Sequence, residues 1–475
     1  MRKLVSKIGI VLPAAFIALY SNTSFAYLDP ASGNAVASFF IALFGSAVFF
    51  FKSLFYKIVS RSPATSKASK LSGLDFKTPI IFSEGKTYWT TFRPIVEELL
   101  KREIEFRYIT LDVRDPALLI DSPYMDSKLV SKNRLGFAKI AQMQGPVMIS
   151  TTPNIGSEGY PLNRPVNVAN LVHVFHALVD LSCYRKGSLD HYDSVLLAGE
   201  HEVDAVRKVE RARQLPNPKQ LVVAGLPCLD DLSRQKEELV LDKSSNTSQL
   251  KTVLIAPSWG NKGCFTEYGT GFIKVLSDAG FAVIIRLHPH SFVFEPDCVE
   301  KWRTETGSLA NVVWDNETFG TQAMTTADIL ISDASSIRFD FAFLYEKPVI
   351  SLEIPAQSRD IFESDYMEHT WADTMVDKIG SGANRQELST IDKLVASTLE
   401  QFSAQSLAGL REEYVANFGS SATVIADYLV EQAEFHSTSK LERAQQAKFE
   451  ALESRIEELN LQLQLLNEKL LERDS

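Results

Sequence analysis

Polar side chains that could bind a phosphate or move a proton follow three apolar segments of this sequence. They are, in chain order, His176, Arg286, His288, Asp333, Ser335 and Ser336. An imidazole exchanges a proton near neutral pH, so His176 and His288 are candidates for acid–base work. Ser335 or Ser336 can cap the helix predicted from Ile337 to Tyr345, whose free N–H groups and positive dipole end can receive a phosphate.

Each of these features also has an ordinary structural interpretation. A lone histidine near a strand end is more often a satisfied structural residue, and a Ser-Ser pair before a helix is usually only a cap. Alternation along the strand places His173 and Phe175 on one face, so that His176, beyond the strand, can point into a cleft. The occurrence of all three groups after strands favours a site, because open sheets bind ligands there.

The segments that must position these residues alternate short β-branched runs with amphipathic helices. This pattern is typical of an α/β fold. One set of strands and helices is predicted over residues 76–235, a second over residues 250–435, and a polar, strand-poor stretch separates them. Two successive α/β domains predict a cleft between them, with the candidate side chains at the carboxyl ends of strands.

Two apolar segments and a linker precede the first α/β domain. Residues 1–26 have the layout of a secretory signal peptide or a first membrane segment. Residues 35–56 are long enough to span a bilayer, and the lysines and arginines that follow indicate that the C-terminal side lies in the cytoplasm. Residues 62–75, rich in Ser, Ala and Lys, are predicted to be a linker.

Alternatives remain for this region. Either the first segment is cleaved, or both segments stay as a hairpin, and both topologies leave the α/β domains in the cytoplasm. A secreted protein whose second apolar segment is a buried helix is the third alternative. The predicted location is the inner face of the cytoplasmic membrane. The four cysteines are far apart and form no CxxC pair. They are therefore expected to be reduced, which agrees with a cytoplasmic location.

The formal net charge of -10 argues against a nucleic-acid partner, whose usual binding surface is a basic patch. No cluster has the spacing of metal ligands, so we assign no metal and no cofactor.

The C-terminal residues 441–475 carry a heptad pattern of apolar residues. The positions are Phe449, Leu452, Ile456, Leu459, Leu463, Leu466 and Leu470. This pattern predicts a coiled coil, and therefore a homo-oligomer, with a single amphipathic helix docked on the body as the alternative.

The chain resembles the CDP-glycerol glycerophosphotransferases of teichoic-acid synthesis over about residues 165–355. The most specific part is the stretch 328–342, which is close to the family pattern D-x-S-S-x-x-F-D-x-A and includes Asp340. Shorter motifs support it, namely Ala256-Pro257-Ser258-Trp259, Leu287-His288-Pro289 and Gly225-Leu226-Pro227.

The resemblance implies a GT-B fold, in which two Rossmann-like domains hold the nucleotide donor mainly on the second. It implies that His176 is a general base for the acceptor hydroxyl and that His288 stabilises charge on the transferred phosphate. It also implies that Ser335 and Ser336 contact the donor pyrophosphate. Arg286, Asp333 and Asp340 are expected to contribute to substrate binding.

One motif departs from the family. The family typically has His-Gly-Thr-Pro with a nearby Lys at the first histidine, whereas this chain has His176-Ala177-Leu178-Val179-Asp180. Either the acceptor chemistry differs, or His173 is the functional histidine.

The leading hypothesis is a membrane-anchored transferase that moves glycerol or ribitol phosphate from a CDP-linked donor to a lipid-linked or polysaccharide acceptor. The first alternative keeps the fold but acts on nucleotide sugars, as a glycosyltransferase or a 2-epimerase. The second is a non-catalytic, membrane-tethered scaffold that recruits partners through its coiled coil.

Overall fold

The structure is a computed structural model that describes residues 77–179, 181–241, 250–260, 263–317, 320–354, 362–367 and 369–439, together with 449, 452, 454 and 455. The predicted signal segment 1–26, membrane helix 35–56 and linker 62–75 lie outside these residues, as does nearly all of the predicted coiled coil 441–475. Among the described residues, no helix combines the length and the apolar character needed to cross a bilayer.

The first sheet consists of parallel strands in the order β3-β2-β1-β4-β5-β6-β7. Their bounds are β1 Ile80–Ser83, β2 Phe106–Thr110, β3 Met125–Leu129, β4 Gln144–Ser150, β5 Asn167–Val174, β6 Ser194–Leu197 and β7 Gln220–Val223. The order reverses between β1 and β4, which is the point where open α/β sheets bind ligands.

The second sheet repeats this topology, with parallel strands in the order β10-β9-β8-β11-β12-β13. Their bounds are β8 Thr252–Ile255, β9 Ala282–Ile285, β10 Val312–Trp314, β11 Ile329–Ser332, β12 Val349–Leu352 and β13 Gly380–Ala383. Two sheets of this order form the Rossmann-like pair expected of a GT-B fold.

The helices connect the strands. Their bounds are α1 Trp89–Lys101, α2 Arg134–Ala141, α3 His201–Ala212, α4 Pro227–Leu241, α5 Cys264–Tyr268, α6 Gly271–Asp278, α7 Pro289–Phe294, α8 Pro296–Thr306, α9 Thr321–Thr326, α10 Ile337–Leu344, α11 Trp371–Thr374, α12 Val376–Ile379, α13 Ile391–Gln401, α14 Ala404–Tyr414 and α15 421–439. Short 3₁₀ helices occur at Lys86–Tyr88, Pro116–Leu119, Leu181–Cys183, Glu363–Tyr366 and Glu387–Thr390.

Both faces of each sheet are covered by apolar side chains. In β1, Ile81 packs in one core with Phe92 of α1, whereas Ile80 and Phe82 pack in the core on the opposite face. That second core continues into the second half of the molecule as far as Phe339 of α10. Strands that are buried on both faces read as continuous apolar runs, which is why the sequence shows them clearly.

The last described helix returns to the first sheet. The side-chain amide of Asn170 in β5 donates to Tyr428 Oη at 3.1 Å and to Gln432 Oε1 at 2.8 Å. The carboxylate of Asp230 accepts from Ser421 N at 3.0 Å, which places an acidic side chain at the start of α15. The chain therefore crosses back, and α15 stabilises the first half although it follows the second in sequence.

Candidate active site at the carboxyl ends of the two sheets

Three loops of the second half meet because their strands are neighbours in the order β9-β8-β11. The loop after β8 carries Ser258 and Trp259, the loop after β9 carries His288, and the loop after β11 carries Asp333. The Trp259 and His288 rings have centroids 6.3 Å apart, and Ser258 Oγ donates to Asp333 Oδ1 at 2.5 Å. The structure thus brings His288 and Asp333 to one edge, as the sequence predicts.

Asp333 is fully buried and organises the loop after β8. Its Oδ2 accepts from Ser258 N at 2.9 Å and from Cys264 N at 2.8 Å, and its Oδ1 accepts from the Ser258 hydroxyl. Because its oxygens are occupied by these donors, Asp333 acts through the loop that carries Trp259. Substrate contact by Asp333 was the expectation; the geometry indicates a positioning role.

His288 occupies the N-cap position of α7 and is partly exposed to solvent. Its Nδ1 accepts from the backbone N–H of His290 at 3.1 Å. Since Nδ1 is the acceptor, the neutral ring carries its proton on Nε2, which leaves Nε2–H as a donor to a ligand. Burial, and secondarily the charge of His290, lowers the pKa of His288 to about 4, so the ring is neutral at pH 7.

Ser335 and Ser336 precede α10 without capping it in the expected way. Ser336 holds the N-cap position in a helical conformation, and no side-chain capping bond forms. Ser335 Oγ instead lies 3.5 Å from Ile337 N, so of the two serines it is Ser335 that approaches the first N–H of α10. The next N–H groups donate to backbone carbonyls, Arg338 N to Ser335 O at 3.3 Å and Phe339 N to Ser336 O at 2.9 Å.

Arg338 is a buried cation behind this turn. Its Nε donates to Ser335 O at 3.2 Å and its guanidinium to Ser351 Oγ at 3.0 Å. Burial lowers the pKa of Arg338, while the carboxylates of Asp333 and Asp373 oppose this effect. A cation and a helix N-terminus on the same turn form a favourable place for an anion.

Two further predicted residues lie elsewhere. Arg286 pairs with Asp315 at 2.6 Å and donates to Glu317 O at 3.0 Å, so it holds the loop after β10. Asp340 lies on α10, and its Oδ1 is buried with no hydrogen-bond partner among the described residues. Burial raises the pKa of Asp340 to about 7, and its charge acts on Cys228 of α4, which places it on the side of α10 that faces the first half.

In the first half, His176 lies beyond the end of β5 and is exposed. Its ring meets the edge of Tyr88 with centroids 5.1 Å apart. The surrounding protein lowers the pKa of His176 and the charge of Glu84 opposes this, so the ring can act as a base at neutral pH.

His173 is buried and is held in the core. Its Nε2 lies 3.0 Å from Tyr184 Oη, and its ring packs on Phe175 with centroids 4.9 Å apart. Burial lowers the pKa of His173 to about 3, which keeps the ring neutral. The alternation along β5 is confirmed, and of these two histidines only His176 is exposed.

The carboxyl edges of the two sheets face each other. The segment after β5 meets the segment after β12, because Arg185 forms an isolated bridge with Phe362 and Gly187 N donates to Glu363 Oε1 at 2.8 Å. At the end of β6, His201 stacks on Trp371 with ring centroids 4.2 Å apart. His176 follows β5 of the first sheet and His288 follows β9 of the second, so each lies at the carboxyl end of a strand, where open sheets bind ligands.

Sequence reasoning missed Glu84, Tyr160 and Arg338. Glu84 directly follows β1, so its place after a strand was a usable signal. Tyr160 lies in the long β4–β5 connection, where no periodic pattern marks it. Arg338 reads as an ordinary charged residue in a helix, and only the fold shows that it is buried.

Residues 184–375, about two fifths of the chain, match the sequence profile of the family described as CDP-glycerol:poly(glycerophosphate) glycerophosphotransferase. This match supports a CDP-glycerol glycerophosphotransferase-like transferase activity. The match contains His288, Ser335, Ser336 and Asp340, whereas His176 precedes it. No curated protein matches the chain at a significant level.

Solved structures of similar fold include the wall teichoic acid polymerase TagF. A histidine-to-asparagine variant of TagF soaked with CDPG is 14% identical with a TM-score of 0.50, covering 75% of this chain and 89% of that chain. The variant in a separate structure is 14% identical with a TM-score of 0.49, covering 77% and 90%. The UDP-GlcNAc 2-epimerase of Neisseria meningitidis bound to UDP-GlcNAc is 14% identical with a TM-score of 0.48, covering 74% and 99%. At these identities the likeness concerns the fold alone.

Within the described residues, no three His, Cys, Asp or Glu side chains are grouped so that they could hold a metal ion.

Proposed function

We propose that this chain is a membrane-anchored, cytoplasm-facing transferase of teichoic-acid-type polymer synthesis. It moves glycerol phosphate or ribitol phosphate from a CDP-linked donor to a hydroxyl of a lipid-linked or polysaccharide acceptor. The acceptor oxygen forms a bond to the phosphorus of the alditol phosphate, the bond from that phosphorus to the bridging oxygen breaks, and CMP leaves. The acceptor proton passes to His176.

The geometry of His288 carries this proposal. Its Nδ1 is committed to His290 N, so the opposite nitrogen presents a proton at the edge that also holds Ser336 and the start of α10. Phosphoryl transfer depends on positioning and on stabilising charge on the phosphate oxygens. The phosphate oxygens can be positioned and stabilised here by the neutral N–H of His288, by the two serine hydroxyls and by the N-terminus of α10. None of these groups has to change its protonation state.

The membrane part of the proposal rests on the sequence of residues 1–70. An apolar segment long enough to span a bilayer is followed by lysines and arginines, which favour a cytoplasmic location for the α/β domains. A lipid-linked acceptor lies in the membrane, so an anchor raises its local concentration at the cleft. The heptad pattern of residues 441–475 leads us to propose a homo-oligomer as well.

The donor is tested by calorimetry on the detergent-purified full chain with CDP-glycerol, CDP-ribitol, CMP and UDP-sugars. Selective binding of a cytidine nucleotide supports the proposal. Binding of a uridine nucleotide alone would move the function to sugar chemistry, and no binding at all would favour a non-catalytic scaffold. The Ser336→Ala variant is expected to weaken donor binding about 10-fold or more, because a hydrogen bond to a charged group contributes about 1.5–3 kcal/mol.

The His288→Ala variant is expected to lower turnover about 100-fold or more, which is typical when one donor to a developing charge is removed. Release of CMP at saturating donor measures this effect. His191→Ala is the matched control, because His191 is also exposed but lies on the β5–β6 connection of the first half. Full activity of His288→Ala would refute the assignment of this residue.

A further inference from the structure

Glu84 lies at the centre of a group of titratable side chains on the first half of the cleft. Its Oε1 accepts from Tyr160 Oη at 3.2 Å, and its Oε2 lies 3.5 Å from Lys132 Nζ. Its charge acts on Tyr88, Tyr160 and His176. These side chains come from the segments after β1, β3, β4 and β5, which the sheet order brings to one edge.

The turn that carries Glu84 is rigid. Gly85 has a φ of 141°, and a Cβ at this position would lie 2.4 Å from the Cβ of Asp112. The Ser83 hydroxyl accepts from Gly85 N at 3.1 Å, and Tyr88 N donates to Gly85 O at 3.0 Å. Because only glycine suits this conformation, the turn holds Glu84 and Tyr88 in a fixed relation.

His176 depends on this turn for its surroundings. Tyr88 packs its ring against His176, and Glu84 is the carboxylate whose charge favours the protonated imidazole. The other titratable groups that face this group are Tyr160 and Lys132, which bond to Glu84, and His173 on the same strand segment. Tyr160 and Lys132 hold the carboxylate in its place.

We propose that Glu84 is a positioning residue for His176 during proton transfer from the acceptor hydroxyl, because the rigid turn that sets Tyr88 against the imidazole also fixes the Glu84 carboxylate in the same cluster. This inference rests on the proposed function for the identity of the acceptor. The acceptor O–H bond breaks as its oxygen bonds to phosphorus, the proton moves to the imidazole, and the nearby carboxylate stabilises the imidazolium. The proton returns to solvent after CMP has left.

The effect of Glu84 on His176 is tested by labelling the full chain with diethyl pyrocarbonate and analysing the peptides by mass spectrometry. This experiment requires no enzymatic activity. This reagent modifies the unprotonated imidazole, so the pH dependence of labelling reports the titration of His176. In Glu84→Gln the carboxylate is lost, and the midpoint of His176 labelling is expected to move to lower pH. Glu84→Asp, which keeps the charge, is expected to retain most of the wild-type midpoint.

The matched control is Asp126→Asn. Asp126 also pairs with a lysine, and its side chain is 21% exposed against 22% for Glu84, but it lies on β3, away from His176. An unchanged midpoint in Glu84→Gln, or an equal shift in Asp126→Asn, overturns the proposal. The labelling experiment tests the effect of Glu84 on His176 and needs no CDP-linked donor. Failure of the proposed function would instead appear as an absence of cytidine-nucleotide binding in the calorimetry.

With an active chain, CMP release against pH provides the second readout. The acid limb of the Glu84→Gln profile is expected at lower pH, because a base of lower pKa is deprotonated earlier. The plateau is expected to fall about threefold or more, since a weaker base accepts the proton less readily. Donor affinity is expected to stay the same, because the proposed donor site is on the second half; a loss of donor affinity with an unshifted acid limb would indicate a merely structural residue.

Discussion

Replacing Asp333 by alanine removes the acceptor that holds the loop after β8. In the wild-type chain its carboxylate accepts from Ser258 N, Ser258 Oγ and Cys264 N, and the residue is fully buried. Alanine leaves these donors without their partner, and a buried unsatisfied donor costs about 1–3 kcal/mol. The hydroxyl of Ser258 can turn away, so we expect a loss of about 3–5 kcal/mol in the free energy of unfolding.

This loss is measurable as a shift of the melting temperature. For a domain of about 150–250 residues, 1 kcal/mol corresponds to about 2–4 °C, so a loss of about 4 kcal/mol predicts a shift of about 8–16 °C in calorimetry. The same variant is expected to weaken binding of a CDP-linked donor, because the released loop carries Trp259 beside His288. Asp333→Asn keeps one accepting oxygen and is expected to show a smaller effect.

Asp328→Ala is the matched control for Asp333→Ala. Asp328 lies at the opposite end of the same strand pair, where it accepts from Thr252 N at 2.8 Å and from Lys251 Nζ at 3.0 Å. Its loss is expected to lower the melting temperature without affecting donor binding. If Asp333→Ala keeps both its stability and its donor affinity, the positioning role assigned to Asp333 is incorrect.

Two further predictions concern stability. Asp340 has a pKa raised to about 7 by burial, so the folded chain binds a proton that the unfolded chain releases, and stability falls as the pH rises from about 4 to about 7. Asp340→Asn is expected to flatten this dependence and to raise the melting temperature at pH 8; an unchanged slope between pH 5 and pH 8 would contradict the reasoning. Gly380→Ala places a Cβ 1.7 Å from Val349 O and is expected to cost several kcal/mol, whereas the matched Gly382→Ala meets Val376 only at 3.4 Å. Chemical denaturation compares the two, and equal stabilities would argue against the pairing of β13.

Most strands were predictable because burial on both faces leaves an uninterrupted apolar run. The apolar runs Phe106–Thr110, Ala282–Ile285 and Val312–Trp314 coincide with strands β2, β9 and β10. Strand β3, Met125–Leu129, was missed because it is the edge strand and carries charged side chains. Strand β13, Gly380–Ala383, was missed because Gly-Ser-Gly-Ala has no β-branched or aromatic residue.

The candidate site, like the strands, was predicted in part from the sequence. The histidines were found because imidazoles directly after apolar runs lie at the carboxyl ends of strands, and the stretch 328–342 was found because its spacing is specific to a family. Arg286 was also chosen for its position, yet the structure pairs it with Asp315 across the β9–β10 connection. A position after a strand predicts closeness to a cleft but leaves the direction of the side chain open.

The sequence by itself determined the fold class, the two α/β sets and the residue types available for phosphate chemistry, since these follow from local periodicity and composition. Only the tertiary structure decided what each side chain does. Asp333 holds the loop after β8, and Glu84 accepts from Tyr160, because their partners are 75 and 76 residues away in the sequence. Parallel strands join distant segments through crossover connections, so contacts at the sheet edge depend on strand order, which local patterns do not encode.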